Sequence, residues 1–384
     1  MHDIVVIGGG PAGSRTAALL ADDYDVLLIE EHAVSGRPVQ CAGLITQRTV
    51  ELSGVRPEIL NRLYGAKVTF PDGSDVTVRS DSEKAIIIDR ADLDEKMAGA
   101  AMDKGVEYQY NTKYLAHSVR DDRVIIETDK GTIESRLIIG ADGHSSKVAM
   151  SIPDNGPKEY VRGIEYDVEN RMDDQELVGI RIGRSIAPGL FSWEVPFGDF
   201  TRVGLCTSWS AGPPSEYMKT LMKVSGLEGK RIVAKYSGKV PIGGRRISYG
   251  DHLLLIGDAA GQVKPVSAGG LYPALSCAPI LKMSVDDVFS NGDLSEKGLS
   301  CYEREWGDKI GKELNRAYKL RKLYVKFTDE DMNDMSRYLG QEKANVILNG
   351  VDIDNPSGYA VKALAHVPTM MKLASVAIKA KVRK

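Results

Sequence analysis

Three glycines constrain this chain most: Gly8, Gly10 and Gly13, set between an apolar β-branched run, Ile4-Val5-Val6-Ile7, and a helix-forming run, Ala17-Ala18-Leu19-Leu20. The first run reads as a short strand buried on both faces. In that setting each glycine has a task. One makes the tight turn, one lets a pyrophosphate approach the backbone, and one lets helix pack on strand. The helix start offers free N–H groups and the positive end of a dipole to phosphates. After Asp22-Asp23-Tyr24-Asp25 a second strand, Val26-Leu27-Leu28-Ile29, ends at Glu30. A dinucleotide-binding fold places there the acid that bonds a ribose hydroxyl. Glu30 favours an unphosphorylated ribose, hence FAD or NAD over NADP, and the loop alone does not choose between those two.

A chain of 384 residues can bury a large core and is expected to hold more than one domain. A net charge of −3 gives no reason to expect a nucleic-acid partner. The four cysteines, Cys41, Cys206, Cys277 and Cys301, have neither zinc spacing nor a disulfide pattern, so a reducing compartment and no metal are expected. The first strand leaves no room for a cleavable signal peptide, and no apolar run reaches the roughly 18 residues of a membrane span. A cytoplasmic protein is therefore expected.

Two more strand-to-loop transitions follow the first. Leu137-Ile138-Ile139 opens into Gly140-Ala141-Asp142-Gly143, and His252 to Ile256 opens into Gly257-Asp258 and then Gly269-Gly270, the start of a long apolar helix. A free helix N-terminus at that point can stabilise a polarised ring. Ser35 to Gly43 forms a small-residue loop in which Cys41 is either a small buried hydrophobe or a thiol facing the cofactor. Lys67–Phe70 and Val76–Val78 read as a hairpin, and Ala85–Ile88 as a strand leading to Asp89-Arg90 and a helix capped by Asp92. From about 157 to 248 strands alternate with few helices, which predicts an antiparallel sheet with one buried face. Trp193 there is either core or ligand wall. The chain is thus expected to be α/β, with a Rossmann-type domain discontinuous in sequence (1–65, 85–155, 250–310), an antiparallel-sheet substrate domain (66–84, 156–249) and a helical C-terminal region (311–384). The tail from Pro368 carries Met370, Leu373, Ala374, Ala377 and Ile378 on one helical face and ends in basic residues. Such a terminus suits an anionic membrane surface, or is a solvated surface helix.

The three loops together, with Asp89-Arg90, resemble the flavin-dependent hydroxylase and reductase superfamily. The resemblance implies FAD, and the absence of a second G-x-G-x-x-G argues against the two-dinucleotide disulfide reductases. Pro38-Val39-Gln40-Cys41-Ala42-Gly43, the strand Phe191-Ser192-Trp193-Glu194-Val195-Pro196 and Val266-Ser267-Ala268-Gly269-Gly270-Leu271 resemble the geranylgeranyl reductases. Val195 departs from the Phe that relatives carry before the Pro. By this resemblance Ala12 and Glu30 hold the adenosine side, Arg90 the phosphate region, and Cys41, Ala42 and Gly43 pass near the flavin. Asp258 bonds the ribityl or pyrophosphate portion, Gly270 and Leu271 border the ring, and Tyr114, at the end of the strand after Gly105, touches the adenine side.

The chemistry implied is saturation of isoprenoid C=C bonds in geranylgeranyl chains of archaeal ether phospholipids. Hydride comes from N5 of reduced FAD, with a proton from Cys41, Tyr272 or water. Trp193, Pro196 and Tyr272 are the expected substrate contacts, and a reduced nicotinamide or a ferredoxin-like protein is the expected electron donor. The protein would then sit peripherally on the cytoplasmic membrane face. Two other readings share the fold: a flavin monooxygenase acting on an aromatic or polyprenyl substrate, and a non-catalytic isoprenoid-lipid-binding flavoprotein.

Overall fold

The computed structural model describes residues 1–39 and 41–355. The run Ile4–Ile7 lies at the centre of an eight-stranded sheet because it is apolar on both sides of the pleat. Its strand, His2–Ile7, pairs in parallel with Val26–Ile29 on one side and Gly131–Gly140 on the other. Glu107–Gln109 and Leu253–Leu255 extend the parallel order outward. Alternate residues serve opposite faces. Ile4, Val6, Leu28, Ile139 and Leu254 pack under helices, while Val5, Ile7, Leu27, Ile29 and Ile138 pack with the hairpin Tyr114–Arg120 and Arg123–Thr128. The chain leaves His2–Ile7 toward one edge and later returns on its other side. This makes a switch point between His2–Ile7 and Gly131–Gly140, where open α/β sheets bind ligands. All three small-residue loops leave the carboxyl ends of neighbouring strands at this place.

A second sheet of seven strands among the described residues joins two distant stretches of sequence. Glu159–Glu169, Ser192–Phe197, Phe200–Ser208 and Ile232–Ile242 run antiparallel, and the hairpin Gly65–Thr69 and Asp75–Arg79 adds to the edge. The sheet is not wholly antiparallel as expected: Leu177–Arg181 meets Gly65–Thr69 in parallel. Those two strands are not hairpin neighbours, so nothing forces opposite directions. Ala85–Ile88 belongs to neither large sheet and centres a three-stranded one with Leu44–Ile45 and Ile59–Leu63.

The helix that follows spans Arg90–Asp103, and its cap is Asp89, whose carboxylate accepts the Ala91 N–H at 2.8 Å. Asp92, expected as the cap, falls in the first turn, where its charge suits the dipole. Past the Leu271–Asn291 helix the chain is helical through Asp329–Asn349. Residues 350–355 then form a short strap. No helix among the described residues is long and apolar enough to cross a membrane. The basic amphipathic tail from Pro368 lies outside the described residues.

Candidate functional site

The cradle at the switch point is shaped by what its glycines permit. Gly8 has φ +106° and a Cβ there would stand 2.5 Å from the Ala141 carbonyl oxygen. A Cβ on Gly13 would collide with the Gly8 carbonyl, whereas one on Gly10 would meet nothing within 4 Å. Gly8 therefore makes the turn, Gly13 the close packing, and Gly10 keeps an open face. The Pro11–Leu20 helix has no side-chain cap, so the N–H groups of Ala12 and Gly13 face that opening without an intrahelical acceptor. Glu30 Oε2 accepts the Gly9 N–H at 2.7 Å. Its Oε1 accepts the His32 N–H at 2.9 Å and lies 2.6 Å from His32 Nδ1. The acid thus fixes the glycine turn while keeping lone pairs for a further donor.

Asp258 reaches the cradle from the third loop. Among the described residues its carboxylate has no hydrogen-bond partner; burial pushes it up to about 6, against the opposing pull of Arg90 and Arg245. A Cβ on Gly270 would come within 2.7 Å of Asp258 Oδ1, so the glycine lets this carboxylate lie over the uncapped start of the Leu271–Asn291 helix. Arg90 grips Asp94 with Nε and Nη2 at 3.1 and 3.0 Å and lies beside the Cys41 thiol. Two uncapped helix N-termini, an open glycine face and an unpartnered, partly buried carboxylate fit a dinucleotide cofactor. Such a ligand would satisfy each of them.

The cradle opens onto a cavity of about 530 Å³ with an apolar wall. Cys41, Ala42, Ala268 and Gly269 border it on the cradle side; Val178, Ile180, Trp193 and Val195 supply the second sheet's face, with Phe191 beside them. Trp193 fits because its cross-strand partner is Gly204, where a Cβ would collide with the indole. The strap closes another side with Val351 and Ile353. It is pinned by Asp354, which accepts Lys264 Nζ at 3.1 Å and Thr46 Oγ1 at 2.6 Å, and by Asp352, which accepts Arg48 Nη1 at 3.0 Å.

Not every expected residue comes to this place. Trp193 and Val195 face the cavity, so Pro196, one residue out of phase, is buried on the opposite face of its strand. Tyr272 is not among the lining residues; its ring lies under the Arg48 guanidinium and its hydroxyl accepts from Asn355. Tyr114 opens a strand instead of ending one: the strand after Gly105 is Glu107–Gln109. Its buried ring packs with Val5, Leu27 and Ile126, with the hydroxyl 2.6 Å from His117 Nδ1. Gly43, at φ +76°, is pressed against the Ile88 carbonyl, and Leu271 packs with Leu275 and Leu93 in a core cluster. Cys41 borders both cradle and cavity, its sulfur accepting the Gly43 N–H at 3.5 Å.

The structure adds a polar network in the cavity wall. Glu165 and Asp167, two apart on one strand, share a face, and Asp167 stands in register with Arg202. Arg202, only 4% exposed, donates to both Asp167 oxygens at 2.7 and 2.9 Å and to the Ala42 carbonyl at 3.3 Å. It also stacks on Phe197 at 3.9 Å. Trp193 Nε1 donates to Glu165 Oε2 at 2.7 Å, while Oε1 has no hydrogen-bond partner and stands 3.6 Å from Arg202 Nε. Burial drives the Glu165 carboxyl up to about 7, outweighing Arg202 and Trp193, which pull it down. The signal in the sequence was a period-two pair of carboxylates in an otherwise half-apolar strand.

The family described as lycopene cyclase protein matches residues 3–335. The chain is 30% identical to digeranylgeranylglycerophospholipid reductase 2 of Methanothermobacter thermautotrophicus, covering 97% of this chain and 98% of that one. It is 28% identical to the digeranylgeranylglycerophospholipid reductase of Methanocaldococcus jannaschii, covering 97% of each. Among solved structures, a geranylgeranyl bacteriochlorophyll reductase-like protein of Thermoplasma acidophilum has the same fold, with a TM-score of 0.83 at 18% identity over 98% of this chain and 99% of that one.

Proposed function

This chain belongs to the geranylgeranyl reductase family of flavin-dependent oxidoreductases and to the family described as lycopene cyclase protein, and on that premise we propose that it saturates isoprenoid C=C bonds in the geranylgeranyl chains of an ether phospholipid. The observation that carries this reading is the apolar cavity of about 530 Å³ opening from a dinucleotide cradle. Its size falls in the range of small-molecule sites. Its wall is mostly apolar, with a few polar groups such as Glu165 and Tyr236, and suits a hydrocarbon chain.

FAD is the cofactor proposed, and when bound it supplies a hydride from its reduced ring. The chain's own residues do the rest. The N–H groups of Ala12 and Gly13 hold the diphosphate, and Glu30 accepts from the adenosine ribose. Asp258 takes hydroxyls of the ribityl chain, and Arg90 offsets the charge gathered beside it. The Cys41-Ala42 backbone, tied to the second sheet through Arg202, and Gly269 form the passage between cradle and cavity. Trp193 and its apolar neighbours exclude water and align an alkene. The electron donor proposed is a reduced nicotinamide or a ferredoxin-like protein, and the basic terminus is proposed to touch the membrane surface.

The test is anaerobic incubation of the flavin-loaded protein with digeranylgeranylglycerophospholipid under dithionite, followed by mass spectrometry of the lipid. Gain of two-hydrogen units is the expected result. An unchanged lipid mass overturns the reading. A monooxygenase would show no turnover without O₂ and would add oxygen when O₂ is supplied.

A further inference from the structure

Saturating an isolated alkene needs a hydride at one carbon and a proton at the other, and a mostly apolar wall offers few groups that can give one. We propose that Glu165 is the acid that gives this proton, an assignment that rests on the reductase reading above.

The geometry favours Glu165 over its neighbours. It is part of the cavity wall and 5% exposed, with Oε2 held by the Trp193 N–H and Oε1 left without a hydrogen-bond partner. A carboxyl so placed has one oxygen spoken for as acceptor and one free to carry a hydrogen. Rotation about the soft, two-fold terminal torsion exchanges the two. Every packed element bears on its charge. Asp167 on the same strand opposes ionisation; Arg202, on the neighbouring strand, favours it, but its fork is engaged by both Asp167 oxygens. Cys206 from that strand and Tyr236 from the strand on the other side complete the surroundings. The balance leaves Glu165 protonated until about pH 7, the condition under which a carboxylic acid can act at neutrality.

Other wall groups are poorer sources. Burial pushes the Cys206 thiol up to about 12. The Tyr236 hydroxyl donates to Asp167 at 3.2 Å and is itself pushed upward. Lys264 is held by Asp354 and the Ile353 carbonyl, and Lys84 by the Asn349 carbonyl.

The step balances. The Glu165 O–H bond breaks and leaves its electron pair on the carboxylate, while the alkene π pair forms the new C–H bond. The hydride supplied by a reduced flavin forms the second C–H bond, so the alkene gains two electrons and the cofactor loses two. The carboxylate that remains is held by the Trp193 N–H and the Arg202 charge, and regains its proton from solvent when product leaves.

Glu165→Gln keeps the shape and the Trp193 bond but has no acidic hydrogen. The flavin-loaded protein, reduced with dithionite, is mixed anaerobically with digeranylgeranylglycerophospholipid and flavin reoxidation is followed from about pH 6 to about pH 8. The wild-type rate is expected to fall as pH rises through about 7. Glu165→Gln is expected to lose roughly 10²–10⁴-fold and its pH step while retaining flavin, and Glu165→Asp to restore part of both. Infrared difference spectra give a readout without turnover: the part of the protonated-carboxyl band that fades through about pH 7 is missing from Glu165→Gln, which keeps the part due to Asp258. A Glu165→Gln rate and pH profile equal to wild type overturn the proposal. Should that variant fail to fold, a flat wild-type profile or a wild-type infrared band with no part that fades through about pH 7 overturns it equally. Wild-type protein that reduces no lipid overturns the reductase reading, and the assignment with it; active wild type matched by Glu165→Gln overturns the assignment alone.

Discussion

Arg202→Met removes a cation that ties the second sheet to the cysteine loop. In the native protein its guanidinium meets Asp167 at 2.7 and 2.9 Å, stands 3.6 Å from Glu165, and reaches the Ala42 carbonyl at 3.3 Å. Methionine replaces most of the volume and none of the donors. Asp167, 6% exposed, is then a buried carboxylate without its bidentate partner. Breaking a buried pair from one side costs about 3–5 kcal/mol, since the surviving charge is left uncompensated. At 1.36 kcal/mol per tenfold, that is a change of roughly 10²–10⁴ in the unfolding equilibrium. Adding Asp167→Leu removes the orphaned charge, and replacing both members of such a pair by apolar residues is often neutral or stabilising. The double variant is therefore expected to recover most of the loss, with a coupling energy of at least about 1 kcal/mol in a double-mutant cycle. Denaturant unfolding of the four flavin-loaded proteins measures this. The reasoning is refuted if Arg202→Met unfolds within about 0.5 kcal/mol of wild type, or if Asp167→Leu gives no recovery in its background.

Four further outcomes follow from the same structure. Gly13→Ala forces a Cβ into the Gly8 carbonyl and is expected to destabilise the fold by roughly 1–3 kcal/mol or more. Gly10→Ala, whose Cβ meets nothing, should leave thermal stability of the flavin-free protein nearly unchanged while weakening flavin retention at least about tenfold, as read by cofactor titration. The Glu165 carboxyl is raised from 4.5 to about 7, so its contribution to stability is fully present below 4.5 and is lost as pH rises through about 7. Relative to Glu165→Gln, wild type should lose about 3 kcal/mol over that window in denaturant titrations; a pH-independent difference would refute the linkage. Asp354→Ala removes the carboxylate that holds Thr46 and Lys264, leaving Lys264 only the Ile353 carbonyl of the strap, and gives up charge-assisted bonds of roughly 1.5–3 kcal/mol. Amide exchange at Asp354 and Asn355 should speed up about 10–100-fold, and unaltered exchange would show that the strap is held by its apolar contacts instead.

The dinucleotide cradle was legible in the sequence because its determinants are local. Glycine spacing, an apolar run and a terminal acid lie within a single strand-turn-helix-strand unit, where Gly13 closes on the Gly8 carbonyl and Glu30 holds the Gly9 N–H. What escaped depends on register and on distant segments. Naming both Trp193 and Pro196 as substrate contacts ignored the pleat, which sends residues three apart to opposite faces. The sequence pattern offers Asp92 as the helix cap, and only the backbone shows that Asp89 is the carboxylate that meets a free N–H. The partnership of Arg202 with Asp167 needs the pairing of two strands separated by a long excursion, and the strap is invisible without the ion pairs that hold it down.

The strap also has a consequence for the order in which the molecule is assembled. The cradle is complete once the chain has reached Leu271, and the apolar face of the second sheet once it has reached Ile242. The cover over that face, Val351 and Ile353, is synthesised some eighty residues after the cradle. A chain emerging from the ribosome, its N-terminal parts folding first, therefore passes through a stage in which the cradle exists and the cavity beside it is still an uncovered trough. A ligand of the cradle can then be seated before the roof is fastened.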